Sequence, residues 1–324
     1  MSWLDDERFE ALRGRTHLVT GGAGFIGSHI ARGIQSLGGR VVVLDDLSSG
    51  HADNIPPDAT FVRASILDPD ALRSAIEGCD SVFHEAAMVS VPQSVEDPAR
   101  CQLVNVEGTR LVLESARSAG VRRVVFAASA AAYGDEPSLP SCESDQPSAC
   151  SPYAYSKIAG ELLSQVGARC FELSTICLRY FNIFGPRQDP NSPYAAAISA
   201  FASRLLGDQT ITVFGDGQQT RDFTYVDNVV RANLLAACVQ IPMTAPVVNI
   251  GTGRRVSLLE VIASMAQTLG VEASIEHGPA RAGDVRHSCA DITRARELLG
   301  YQPMVDLHQG LAHTLSWMAQ AAST

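Results

Sequence analysis

The stretch Thr16-His17-Leu18-Val19-Thr20-Gly21-Gly22-Ala23-Gly24-Phe25-Ile26-Gly27 decides how this chain is read. A short β-branched and apolar run enters a loop with glycines at 21, 24 and 27, and helical spacing follows over 26–37. Strand, glycine loop and helix in that order form a cradle for a pyrophosphate. The first glycine permits the tight turn, the second lets backbone approach phosphate, and the third lets the helix pack close to its strand. The helix N-terminus then offers free N–H groups and the positive end of its dipole. A chance glycine turn in an unrelated α/β protein is the competing reading. Against it stands Asp45, which closes the next strand at roughly the 20-residue offset of a ribose-binding acid. A 2′-phosphate there would face both Asp45 and Asp46, and two unit charges at ~4 Å repel by about 4 kcal/mol at an effective dielectric of ~20. No Arg among the next few residues offsets this, so the expected cofactor is NAD rather than NADP.

A second stretch, Tyr153-Ala154-Tyr155-Ser156-Lys157, places a phenol and an ammonium four residues apart, on one face of a helix. Free tyrosine titrates near ~10, too high for a base at neutral pH. A nearby ammonium, and the positive charge of an oxidised nicotinamide, favour the phenolate. Ser151-Pro152 just ahead suits a helix start. A bare Tyr-x-x-x-Lys pair is common by chance. Ser129 changes the balance, because it closes the apolar run 124–128 at the carboxyl edge, where a doubly wound sheet binds its ligands. Its hydroxyl is placed to bridge the phenol and a substrate hydroxyl; a plain strand-end cap is the alternative. Glycine loop and tyrosine–lysine pair together suggest redox chemistry at a bound dinucleotide.

The 324 residues suffice for one large α/β domain or two lobes. With 46% hydrophobic and 19% charged residues, the composition is globular and argues against disorder. The net charge is −10 and no Lys/Arg run forms a nucleic-acid footprint, so an anionic ligand must be gripped by local donors against the overall field. Residues 1–13 carry Asp5, Asp6 and Glu7 and lack the basic start and unbroken apolar stretch of a signal peptide. No apolar run is long enough to span a bilayer, so the expected compartment is the cytoplasm, with no membrane or nucleic-acid partner. The eight cysteines form no C-x-x-C pair and no zinc-like cluster with His; free, mostly buried thiols and no metal are expected.

Strand signals at His17–Thr20, Val41–Leu44, Thr60–Val62, Ser81–His84, Arg123–Ala127 and Ser174–Leu178 alternate with helical spacing at Ile26–Leu37, Pro69–Ile76, Ala99–Ser118 and Tyr153–Val166. This predicts an α/β fold, a doubly wound, Rossmann-like parallel sheet covered on both faces. Past about residue 182 the alternation loosens. Strands at Ile211–Phe214 and Val247–Ile250 mix with helices at Ala195–Leu206, Val226–Val239, Leu258–Leu269, Ile292–Leu298 and His308–Ala319. The expected division is a dinucleotide domain over 1–181, with a chain return near 226–250, and a smaller mixed α/β substrate lobe over 182–324.

These residues resemble the extended short-chain dehydrogenase/reductase family over nearly the whole chain. The marks are Thr20–Gly27, His84-Glu85-Ala86-Ala87, Asn105-Val106-Glu107-Gly108-Thr109, Ser129 before Tyr133-Gly134, Tyr153 with Lys157, Leu178-Arg179-Tyr180-Phe181-Asn182 and Arg221-Asp222-Phe223. The likeness is greatest to its bacterial UDP-N-acetylglucosamine 4-epimerases, through Ser90-Val91-Pro92-Gln93-Ser94, Arg187-Gln188-Asp189-Pro190-Asn191 and Gly283-Asp284-Val285-Arg286-His287-Ser288. The resemblance implies a catalytic triad of Ser129, Tyr153 and Lys157. It implies NAD contacts at Gly21, Gly24, Phe25, Ile26, Gly27, Asp45, Asp46, Ser49, Gly50, Ser65, Ile66, Ala86, Ala87, Asn105, Tyr153, Lys157 and Tyr180. It implies contacts to a UDP-sugar at Val89, Ser90, Ser129, Tyr153, Asn182, Ala196, Ala197, Arg221, Arg281, Asp284 and Ser288, with Asn182, Arg221, Arg281 and Asp284 on the UDP moiety. Ser288 matches a gate beside the sugar, and its small side chain leaves room for an acetamido group.

Two departures stand out. Ala130, Ala131 and Ala132 follow Ser129 where the family often has a further hydroxyl, and Ser65 stands where an acid usually contacts adenine. The alanines also weigh against related 4,6-dehydratases and UDP-glucuronate decarboxylases, which carry an acid here; dehydration needs a general acid for its leaving hydroxyl. The expected activity is NAD-dependent inversion at sugar C4, interconverting UDP-GlcNAc and UDP-GalNAc and, more slowly, UDP-Glc and UDP-Gal. A UDP-hexuronate 4-epimerase, with Arg286 or His287 facing the carboxylate, is the runner-up, and a non-catalytic NAD-binding redox sensor is the reading from another class. By analogy with the family, the helices over 99–118 and 153–166 form a homodimer seam.

Overall fold

Seven strands make the central sheet, and every neighbouring pair runs parallel. In chain order they are β1 (Thr16–Thr20), β2 (Arg40–Asp45), β3 (Thr60–Arg63), β4 (Ser81–His84), β5 (Arg123–Ser129), β6 (Thr175–Tyr180) and β7 (Val247–Ile250). The computed structural model describes residues 6–189, 197–280 and 285–321. The order across the sheet is β3-β2-β1-β4-β5-β6-β7. It reverses between β1 and β4, and that reversal opens a crevice at the carboxyl ends of the strands. The fold is the Rossmann-like α/β type. β4, β6 and β7 are buried at every position, as strands of a parallel sheet covered on both faces are.

Helices α1 (Phe25–Ser36), α2 (Pro69–Ile76), α3 (Gly108–Ser118), α4 (Pro152–Phe171) and α5 (Val226–Cys238) cover the sheet. One face packs Ile30, Ile34, Val229 and Leu234 against Val19, Val43 and Val125; the other packs Leu72, Val112 and Leu113 against Leu18, Val82 and Val124. A separate cluster built on Phe184, Phe201, Val261, Met265, Leu311 and Leu315 lies beyond the carboxyl edge. Short strand pairs, such as Ile211–Phe214 with Ile275–Gly278, dress that region. The first described turn, Glu7–Leu12, is a 3-10 helix capped by Asp6, and Phe9 and Leu12 are wholly buried in the main core. All eight cysteines are free; four are buried, but Cys150 and Cys170 are exposed. Among the described residues, no helix is long and apolar enough to cross a membrane.

Two helices differ from their sequence expectation. The segment expected as one helix over 99–118 is a short helix at Pro98–Gln102, a π-helical turn at Leu103–Glu107, and then α3. The wide turn directs Asn105 inward, where its amide donates to Met88 O (2.9 Å) and Ser156 Oγ (2.9 Å) and accepts from Met88 N (2.7 Å). No periodicity argument sees such a turn, because the apolar spacing continues across it. Helix α4 starts where Ser151-Pro152 suggested, with the Ser151 hydroxyl accepting from Ala154 N at 3.1 Å. It outruns the expected end at Val166 and stops at Glu172, in a left-handed conformation (φ 55°), with Leu173 N donating to Gly167 O at 3.1 Å.

α4 lies close on β5 because residue 160 is glycine. A Cβ there would stand 2.3 Å from Phe126 Cζ. Gly160→Val should therefore push α4 off the sheet, lower stability by about 1–3 kcal/mol, and shift the thermal denaturation midpoint down.

Candidate active site

The glycine loop is held by contacts that leave no room for side chains. A Cβ on Gly27 would lie 2.2 Å from Gly21 O, and one on Gly21 would lie 2.7 Å from Ala86 N. Gly21 also needs φ +69°, the left-handed region. α1 opens at Gly24 with no side-chain cap, so its first N–H groups point out of the loop unclaimed by a capping side chain. Asp45, at the tip of β2, is buried and accepts from Ala23 N (3.0 Å) and Leu47 N (2.8 Å). Burial raises its pKa, and these two backbone donors pull it back down. Each carboxylate oxygen still has accepting capacity. A dinucleotide fits this arrangement: backbone donors for its phosphates, an acid at the strand tip, and close backbone approach.

Ser129 ends β5, and Tyr153 and Lys157 occupy successive turns of α4. The Ser129 hydroxyl accepts from Ala131 N at 3.2 Å, capping the turn Ala130–Tyr133, and it favours the ionised form of the nearby Tyr153 phenol. Lys157 is buried; its Nζ donates to Ala127 O at 2.7 Å and lies 5.3 Å from the Phe126 ring centre and 5.8 Å from that of Tyr153. Burial pushes its pKa down, and the charge of Glu85 opposes this. Tyr153 does not show the depressed pKa that its spacing from Lys157 suggested. Burial raises it, only the Ser129 hydrogen bond lowers it, and the nearby Cys101 and Glu85 raise it further. Burial is the largest of these causes and outweighs the bond from Ser129. His84 stays neutral, its pKa pushed down to about 3 by burial and by Lys157, and bridges Thr20 Oγ1 (2.8 Å) and Thr109 Oγ1 (3.0 Å).

Beyond the sheet edge a cavity of about 450 Å³ is lined by Asn182, Ala197, Phe214, Gln219 and Arg221 among others. Asn182 follows β6 by two residues and adopts φ +38°. Ser129 stands in register with Tyr180, two residues before Asn182, so both lie at the carboxyl edge of the sheet.

The NAD dependent epimerase/dehydratase family matches residues 17–251. The chain belongs to that family. It is 40% identical over 312 residues to a UDP-glucose 4-epimerase of Mycolicibacterium smegmatis, covering 93% of this chain and 97% of the relative. A UDP-N-acetylglucosamine 4-epimerase of Methanobrevibacter ruminantium, solved with UDP-N-acetylmuramic acid, superposes with a TM-score of 0.91 at 34% identity, over 95% of this chain and 99% of that one. A UDP-glucuronic acid 4-epimerase of Bacillus cereus, solved with UDP-glucuronic acid and NAD, gives 0.87 at 31%, over 94% and 99%. This family member uses NAD as its cofactor.

The remaining expected contacts are distributed unevenly. Phe25 and Ile26 open α1, and Gly50 backs onto Ala23, where a Cβ would stand 2.8 Å from its carbonyl carbon. Asp46 and Ser49 are exposed, and Asp46 accepts from Ser48 N. Ser65 accepts from Leu67 N at 3.2 Å, and Ile66 packs on Gly108. Ala86 N lies 3.4 Å from Thr20 Oγ1, beside Ala87. Asn105 is committed to Met88 and Ser156, so its influence on the site runs through the 86–88 segment. Val89 is exposed and Ser90 caps the helix Val91–Glu96. Arg221 Nη1 donates to Thr220 O at 2.9 Å, and Ser288 N donates to Thr220 O at 3.0 Å. Ala196, Arg281 and Asp284 lie outside the described residues. Sequence reasoning missed Glu85 as a participant: its carboxylate accepts from Tyr180 Oη at 2.8 Å. It also missed the buried Glu161–Arg179 pair (2.8 Å), which ties α4 to β6. Glu85 lay inside a quoted motif, but only the fold brings it to Tyr180.

Replacing Asp45 with Ala removes the acceptor of two loop N–H groups and the acid at the strand tip. Hydrogen bonds to charged groups are worth ~1.5–3 kcal/mol, so NAD affinity measured by titration calorimetry should fall about tenfold or more.

Proposed function

We propose that this chain interconverts UDP-GlcNAc and UDP-GalNAc by inverting the sugar at C4, and acts more slowly on UDP-Glc and UDP-Gal. It is an NAD-dependent UDP-sugar 4-epimerase; the finer choice of sugar is our reading. The observation that carries it is the Ser129–Tyr153–Lys157 grouping at the carboxyl edge of the sheet, with Ser129 followed by a turn of three alanines with no acid. Such a turn cannot protonate a leaving hydroxyl, which favours inversion over dehydration.

In this mechanism Tyr153, as phenolate, takes the 4-hydroxyl proton directly or through Ser129. NAD, held by the glycine loop and Asp45, would supply reversible hydride transfer at C4 when bound. Lys157 keeps positive charge beside the phenol. Asn182 and Arg221, with Arg281 and Asp284, hold the UDP end while the sugar turns; a guanidinium fork suits phosphate because it donates twice. Residues 1–181, with the return of the chain over 226–250, then carry the dinucleotide, and the remainder of 182–324 the UDP-sugar.

Ser288 supports an acetamido substrate, being small at the expected gate. The hexuronate reading asked Arg286 or His287 to face a carboxylate. Arg286 instead makes two bonds to Asp216 (2.8 and 2.7 Å), and His287 Nδ1 lies 2.8 Å from Thr220 Oγ1. Those commitments weigh against it. Incubation with UDP-GlcNAc, UDP-Glc or UDP-GlcA without added NAD, followed by product NMR, tests the choice. UDP-GlcNAc should give UDP-GalNAc fastest, while turnover of UDP-GlcA alone would refute the assignment. Tyr153→Phe should lose about a thousandfold in kcat while still binding NAD.

We further propose a homodimer through α4. Tyr155, Leu162 and Val166 lie along one side of that helix and remain about half exposed (51%, 56% and 50%), beside Leu103 at 51%. An exposed apolar stripe of this kind suits a second copy of the same surface. Leu162→Asp with Val166→Asp should convert the dimer to a monomer in light scattering.

A further inference from the structure

The backbone of Tyr153 is held by groups that the mechanism above does not use. α4 begins with Pro152, which has no N–H, and the Ser151 hydroxyl takes the Ala154 N–H at 3.1 Å. Tyr155 N donates to Ser151 O at 2.9 Å. The Tyr153 N–H is left over at the helix start, and Ser94 Oγ accepts it at 3.1 Å. Ser94 is wholly buried and gives its own proton to Val91 O at 2.6 Å, so its oxygen is turned to Tyr153 as an acceptor. On the other side the Tyr153 carbonyl accepts from Ser156 Oγ at 2.7 Å. A helix start is usually capped by the residue just before it. Here a second cap comes from 59 positions away, on a separate helix.

That helix, Val91–Glu96, continues directly from the expected sugar contacts Val89 and Ser90. The Ser90 hydroxyl caps it by accepting from Gln93 N at 3.1 Å, and Ser94 N donates to Ser90 O at 3.0 Å. On the upstream side Met88 is fixed by the Asn105 amide (2.7 and 2.9 Å), which also donates to Ser156 Oγ at 2.9 Å. Val89 and Ser90 therefore lie between two anchors. Both anchors end on one turn of α4, Asn105 on Ser156 and Ser94 on Tyr153. We propose that Ser94 is a positioning residue of the reaction: by capping the Tyr153 N–H, its buried hydroxyl fixes the base relative to the Val89–Ser90 segment. With no exposed surface it touches neither sugar nor cofactor, and it acts only through Tyr153. This rests on the assignment of Tyr153 as the base made above.

Ser94→Ala removes the acceptor and leaves a buried N–H unpaired, so the first turn of α4 loses its hold on the helix Val91–Glu96. A base must stand within hydrogen-bond reach of the proton it takes, so a small displacement of the phenol falls on turnover. For the UDP-sugar turned over fastest, kcat should drop about tenfold. KM and NAD affinity should stay within about twofold, since the nucleotide grip and the glycine loop lie elsewhere. Ser94→Cys fills nearly the same space with a weak acceptor and should lose nearly as much. In the Tyr153→Phe background Ser94→Ala should lower the residual turnover no further, because the positioned hydroxyl is already gone. A merely structural role gives a different pattern: kcat, KM and NAD affinity worsen together, and the loss persists in the Tyr153→Phe background. That pattern overturns the proposal, and so does full kcat in either Ser94 variant. If Ser94→Ala fails to fold, Ser94→Cys carries the test by itself. Tyr153→Phe separates the two readings. Turnover surviving there removes the base assignment and this inference with it, whereas a dead Tyr153→Phe beside an unimpaired Ser94→Ala removes this inference alone.

Discussion

A buried ammonium is the constraint around which this molecule is arranged. Lys157 is 5% exposed, and a cation so placed must be hydrogen-bonded and counter-charged or it gives up its proton. The Ala127 carbonyl near the end of β5 supplies the hydrogen bond. The end of β5 must therefore meet one turn of α4. Gly160, pressed on Phe126, lets the helix come close enough, and the Glu161–Arg179 pair locks it to β6. Breaking a buried ion pair from one side leaves an uncompensated charge, so this pair fixes the helix more firmly than an exposed bridge would. The close seat of α4 brings Tyr153 to Ser129.

Close backbone approach governs the cofactor end in the same way. The chain carries a net charge of −10, yet both of its ligands are anionic phosphates. The overall field opposes them, so attraction has to come from short-range donors. At the glycine loop these are the leading N–H groups of α1, reachable because residues 21 and 27 have no side chains. At the far end the candidates are Asn182 and Arg221 on the rim of the second core cluster. The two grips lie on either side of the triad. That layout suits a reaction in which the nucleotide ends stay put while a sugar turns between them.

The sequence by itself determined the sheet, the glycine loop and the spacing of Tyr153 and Lys157, because each rests on local periodicity or on a backbone conformation only glycine adopts easily. Strands at 81–84 and 247–250 and the helix at 69–76 stand where they were read. Tertiary structure decided what depends on contact between distant residues. The π turn at Leu103–Glu107 exists to aim Asn105 at Met88 and Ser156, and apolar spacing runs through it unbroken. The direction of the Tyr153 shift differs from what an i,i+4 lysine suggests because the fold buries the phenol, and burial outweighs the bond from Ser129. Glu85, Tyr180 and Asn233 come from β4, β6 and α5, and only the crossing order of the strands makes them one network. A hydrogen bond between residues 95 positions apart leaves no trace in either neighbourhood of the chain.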